Sequence, residues 1–253
     1  MKTVRDATLL FHRSTVQLLR NPVWVVVGFS TPILYLVLFT PLLKHFIGGA
    51  HATNASVLDL FLPGILALLA FASGMGPGFN TIFELQSGVI ERFRVTPASR
   101  LAILMGPILS GMVMMFVFNA VVVAVAVGFG FALHPLGLAV LAVLLALLMI
   151  TVSAFSVATA LVTKEISGFA AIINGMNLPV LLLAGVLLPI SVGPLWMRVL
   201  AHLNPLYYLV EAARVLAAGT LARAAVWQAF AVIVPLCALV LAWATRVFRR
   251  AVS

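Results

Sequence analysis

Five of the chain's 21 charged residues fall in one stretch, Phe83 to Leu101, FELQSGVIERFRVTPASRL. At helical spacing Leu85, Val89 and Phe93 recur at every fourth position with Ile90 beside them, while Glu84, Glu91 and Arg94 fall mostly on the opposite side. The pattern predicts a short amphipathic helix, weakened at Gly88 and ended by Thr96-Pro97, a cap residue followed by proline at the first position of the next helix. Two kinds of chemistry suit it. The apolar face can lie in a lipid interface, or the charged face can dock a soluble protein.

Other reactive arrangements are missing. The three lysines follow Met1, Leu43 and Thr163, so the chain has no G-x-x-x-x-G-K-[ST] loop and is not expected to hydrolyse ATP by itself. His45 and His51 lie close in sequence without a third ligand, and no metal is assigned to them. No Ser/His/Asp arrangement stands at one membrane depth, which leaves an intramembrane enzyme without a nucleophile and base. What remains are polar residues inside apolar runs: Tyr35, Ser73, Asn80, Asn119, Ser153, Ser156, Thr159, Asn174 and Asn177. In hydrocarbon each needs another helix, a cavity or a ligand. Ala154, Ala158 and Ala160 beside Ser153 and Ser156 favour close helix packing. Asn174 and Asn177 stand near Pro179, where a freed carbonyl adds to a polar wall. Met112, Met114 and Met115 read as packing residues. No Asp, Glu or Lys sits at the centre of a span, which disfavours a carrier driven by protons or sodium.

The elements that position these residues follow from composition. Hydrophobic residues make up 64% of the 253 and charged residues 8%, which excludes an ordinary globular protein. The formal charge of +9 does not point to nucleic acid, because the basic residues sit at the ends of apolar runs, where anionic lipid attracts them. The lone cysteine, Cys237, excludes an intrachain disulfide. Met1 to Arg20 has the spacing of an amphipathic surface helix. Six apolar runs follow: Val23 to Leu43, Leu60 to Phe83, Ile103 to Phe131, Leu136 to Val162, Ile166 to Ile190 and Val226 to Ala244. Gly74-Met75-Gly76-Pro77-Gly78 is expected to pull the second run away from a regular helix.

With both termini on the cytoplasmic side, eleven Lys and Arg face the cytoplasm and four face out, so the positive-inside rule selects that orientation. The segment from Ser191 to Ala225 is then external. In it Trp196, Val199, Leu200 and Leu203 form one apolar face, Asn204-Pro205 opens a second helical piece to about Ala217, and Gly219 supplies a stop. Glu211 and Arg214, three apart, can pair. Two short helices dipping into the outer leaflet, or a hairpin resting on it, both fit.

Two stretches carry a family resemblance. Glu84 to Arg100, with its G-V-I-E-R-F-R-V-T-P-A-S-R core, and Leu187 to Leu216, with L-L-P-I, G-P-L-W, L-N-P-L-Y-Y and A-A-R-V-L, resemble the signature regions of permease subunits of type-2 ATP-binding-cassette (ABC) exporters. The daunorubicin-resistance-type permeases are the nearest group. The resemblance implies an all-α polytopic membrane protein with six transmembrane helices, an N-terminal amphipathic interfacial helix, a cytoplasmic coupling helix and external re-entrant half-helices. The whole chain, 1–253, is then one transmembrane domain: interfacial connecting helix 1–20, spans one and two in 23–83, coupling segment 84–100, spans three to five in 103–190, external half-helices 191–225, and the sixth span with its basic tail 226–253. It also implies a plasma-membrane location, a second and identical permease protomer, and two cytoplasmic ATPase subunits that bind ATP and Mg, with no cofactor on this chain. Glu84, Glu91, Arg92, Phe93 and Arg94, with Lys164 and Glu165 in a smaller turn, would couple to the ATPase. Tyr35, Asn80, Asn119, Asn174 and Asn177 are candidates for the substrate path, and Trp196, Asn204, Pro205, Tyr207, Glu211 and Arg214 for the outer gate. The expected cargo is an amphipathic drug or lipid-like molecule. A glycolipid or polysaccharide exporter, or an ATP-independent channel or scaffold, are the alternatives.

Overall fold

A computed structural model describes residues 28, 30, 32–38, 40–42, 54–87, 100–186, 190, 193–221 and 223–252. Among them all regular structure is helical. An apolar piece, α1 (Pro32–Leu42), precedes α2 (Asn54–Gln86), α3 (Arg100–Gly128), α4 (Pro135–Thr163), α5 (Ile166–Leu183), α6 (Leu195–His202), α7 (Pro205–Ala217) and α8 (Ala224–Val252). Five of these, α2, α3, α4, α5 and α8, are long and apolar enough to cross a membrane. The predicted first span, Val23 to Leu43, is described only in part, through α1, and the surface helix Met1 to Arg20 lies outside the described residues.

The core is the seam between α2 and α4, flanked by α3 and α8, with α7 closing one end. Leu58, Phe61, Leu62 and Ile65 of α2 and Leu144 and Met149 of α4 are buried in it. Neighbouring contacts fix direction: Gly74 lies against Val152 and Gly78 against Ser156, while Ala244 of α8 packs on Ala154 and Ala158. Gly137 at the start of α4 lies against Leu216 at the end of α7, from which α8 sets out, so α2, α4 and α8 run parallel. Their C-terminal ends gather Glu84, the Lys164-Glu165 turn and Arg249-Arg250 at one end of the bundle, opposite α6 and α7.

The glycine run in α2 corrects an expectation. α2 stays helical through Gly74 to Gly78 despite Pro63 and Pro77, because Gly74 and Gly78, four apart, let α4 approach closely. A Cβ at Gly74 would come within 2.7 Å of Val152 Cβ, and one at Gly78 would overlap Ser156 Oγ and meet the Phe169 ring at 2.6 Å. This is the small-xxx-small packing of membrane helices. Ser156 Oγ seals it by donating to Met75 O at 2.9 Å, while Ser153 Oγ turns back to Met149 Sδ in its own helix.

Helix limits also differ from those expected, α3 among them, which runs Arg100–Gly128 in place of Ile103 to Phe131. α2 begins at Asn54 and runs beyond Phe83 to Gln86, since neither Pro63 nor the charge at Glu84 stops it and Leu85 still packs on the core. α5 ends at Leu183, short of Ile190, because Gly185 turns the chain at φ 69°. α8 continues past Ala244 to Val252, carrying arginines that are good helix formers.

Candidate functional site

At the closed end, α6 and α7 meet at a corner built by Asn204-Pro205. Asn204 caps α7 by accepting from Leu206 N at 3.1 Å and donates to Val180 O of α5 at 2.7 Å. Pro205 takes the first helical position, where no N–H is needed. The far end of α7 is held by His134, whose Nδ1 lies 3.0 Å from Ala217 O. Gly219 makes room for that ring, taking φ 77° where a Cβ would stand 2.5 Å from the imidazole.

Arg214 ties this cap to the spans. Its Nη1 meets Glu211 Oε1 at 2.7 Å, its Nε donates to Leu60 O of α2 at 3.2 Å, and its Nη2 donates to Gly185 O just beyond α5. One guanidinium therefore joins three segments. Burial pulls its pKa down from the ordinary arginine value, and the Glu211 carboxylate pushes it back up. Tyr207 packs beside Tyr208 and His202 with ring centroids 5.5 and 5.1 Å away. Trp196 faces outward, 63% exposed, on an apolar face shared with Val199, Leu200 and Leu203.

The opposite end carries the candidate coupling residues. Glu84 sits half-buried in the last turn of α2, and Glu91, Arg92, Phe93 and Arg94 lie outside the described residues. Lys164 and Glu165 are exposed, in a turn where Lys164 takes the left-handed φ of 55° and closes α4 through its N–H to Ala160 O.

The five candidate path residues stand in different surroundings. Asn80 and Asn174 are exposed, on α2 and α5. Tyr35 packs partly buried against the core. Asn119 of α3 is only 7% exposed, and neither its Oδ1 nor its Nδ2 has a hydrogen-bond partner, as is also true of Asn177 Oδ1. Most of α5 is bare: only Phe169 and Ile173 are buried along it, with Phe169 edge-on to Phe79 of α2 at 4.8 Å.

Sequence reasoning missed His134 and the two carbonyls that Arg214 reads. His134-Pro135 marks a helix start, but its partner lies 83 residues away and a backbone carbonyl has no signature in the sequence.

Residues 6–217 match the model of the ABC-2 type transporter family. The chain is 31% identical over 215 residues to a transport permease named ycf38 in Cyanophora paradoxa, covering 84% of this chain and 74% of the relative. It is 24% identical to the protein of that name in Porphyra purpurea, over 86% of this chain and 75% of the relative. It is also 28% identical to the daunorubicin resistance ABC transporter permease protein DrrB1 of Streptomyces coeruleorubidus, over 79% of this chain and 70% of the relative. With a match spanning most of its length and a bundle of apolar helices to accommodate it, the chain is a multi-pass membrane protein of the ABC-2 type transporter family, a transport permease.

Proposed function

We propose that this chain is the membrane half of an ATP-driven exporter, working as a pair of identical permeases in the plasma membrane with both termini in the cytoplasm. Two separate ATPase subunits, holding ATP and Mg, power it. The observation that carries this reading is a mismatch within one transport permease: it has no P-loop, yet Glu84 and the exposed Lys164-Glu165 turn share one end of the bundle. The Glu84 to Arg94 segment leads directly from Glu84, so work done by a soluble motor has a charged surface through which to enter. The exposed face of α5, with Asn174 and Gly175 among Ala171, Leu178 and Leu182, suits a path shared with the second protomer. A mixed face of that kind favours an amphipathic drug or lipid-like cargo over an ion or a free sugar.

The test is reconstitution with the ATPase partner. Glu91→Lys combined with Arg92→Glu should leave expression and assembly of the permease intact while lowering cargo-stimulated ATP hydrolysis at least tenfold, the loss of about 1.4 kcal/mol of coupling. Unchanged stimulation would remove the coupling role from this segment. Cargo flux without any ATPase would favour an ATP-independent channel instead.

A further inference from the structure

Near the middle of the apolar window of α3, Ile108–Gly128, Asn119 is enclosed with nothing to bind. It is 7% exposed, and neither its Oδ1 nor its Nδ2 has a hydrogen-bond partner. It belongs to the buried stripe of α3, with Ile108, Met115, Val122 and Ala126. Among the described helices α3 packs mainly on α2 and only lightly on α4, so the carboxamide is shut into the seam with α2. Leaving both polar atoms unpaired there is costly, and hydrocarbon supplies no water to relieve it. The seam beside it is also soft. Met115, one turn away, is fully buried, Met112 packs on the same core, and a Cβ at Gly111 would meet the flexible Met149 Cε of α4 at 2.7 Å. Unbranched thioethers of this kind repack with little resistance.

We propose that the α2–α3 seam is a gate with two arrangements. In the closed one, that of this structure, Asn119 is enclosed and unpaired. In the open one, less populated, α3 turns against α2 and water reaches the carboxamide. The unpaired amide destabilises only the closed arrangement and so keeps the gap between the two small. Leucine, of nearly the same shape and without polar atoms, locks the seam shut. The opening belongs to the permease alone and needs neither ATPase nor cargo, so its failure leaves the coupling reading standing.

The experiment follows a water-borne, membrane-impermeant thiol reagent on the full-length permease in phosphatidylcholine nanodiscs, with Cys237→Ala to remove the chain's one thiol. Val122→Cys, on the stripe beside Asn119, is compared with Val157→Cys, in the core on α4. Both side chains are buried, yet Val122→Cys should react about tenfold faster or more, because the seam opens without unfolding the bundle. Adding Asn119→Leu should slow Val122→Cys about tenfold and raise the melting temperature by roughly 2 to 4 °C. Asn119→Gln, which keeps the amide, should label at close to the wild-type rate. Equal rates at the two cysteines would overturn the proposal, as would a rate at Val122→Cys that Asn119→Leu leaves unchanged. A lower melting temperature for Asn119→Leu would show the amide to be paired and would overturn it too. If the leucine variant cannot be purified, the comparison of the two cysteines, which leaves Asn119 in place, still decides.

Discussion

Arg214→Leu is expected to abolish transport and to lower the melting temperature of the purified permease by the equivalent of about 2 kcal/mol. The guanidinium makes three charge-assisted contacts, to Glu211, Leu60 O and Gly185 O, and hydrogen bonds to charged groups contribute roughly 1.5 to 3 kcal/mol each before desolvation is subtracted. Burying the arginine takes back much of that sum. The larger loss is geometric, because α7, α2 and the end of α5 are no longer held by one group. Arg214→Lys is not expected to rescue, since an ammonium lacks the planar fork that reads two carbonyls and a carboxylate together. Glu211→Gln should be mild, within about 1 kcal/mol, because that carboxylate is partly exposed and screened. Thermal unfolding in detergent, paired with cargo flux, checks all three. Wild-type behaviour of Arg214→Leu in both would remove the clamp from the account.

Gly78→Leu should be at least as damaging, and by a different route. Even a Cβ at this position overlaps Ser156 Oγ, so a leucine forces α2 and α4 apart along the seam that holds the core. Overpacking of this kind typically costs about 1 to 3 kcal/mol, and here it also breaks the Ser156 bond to Met75 O. The expected result is loss of a monodisperse peak in size-exclusion chromatography. Gly76→Leu is the matched control, since a Cβ there meets nothing within 4 Å, and it should run like the wild type.

These two residues also mark how far the sequence could be read. Hydrophobic runs located all five long apolar helices among the described residues, though not every end, because lipid demands long apolar helices and little else. α4, expected from Leu136 to Val162, runs from Pro135 to Thr163. The start and stop of α7 were legible through its caps, since Asn204-Pro205 and Gly219 do the same work in any setting. The glycine run was misread because glycine serves both loose backbone and close packing, and only the facing Val152 and Ser156 decide between them. Arg214 pairing with Glu211 followed from spacing alone. Its other partners are main-chain oxygens brought in by the fold, one of them 154 residues distant. The path residues were the least legible, because an amide in a span looks the same whether enclosed, as Asn119 is, or facing outward, as Asn174 is.

The sparse seating of α5 has a mechanical consequence. It is pinned near one end by Phe169 against Phe79 and near the other by the Asn204 bond to Val180 O, and Pro179 removes a backbone bond close to that second pin. A rod held this way bows more easily than it slides. The turn between Ile173, which is also buried, and Pro179 can swing sideways against little resistance while its ends stay registered, so its amides should exchange hydrogen with deuterium well before those of α4.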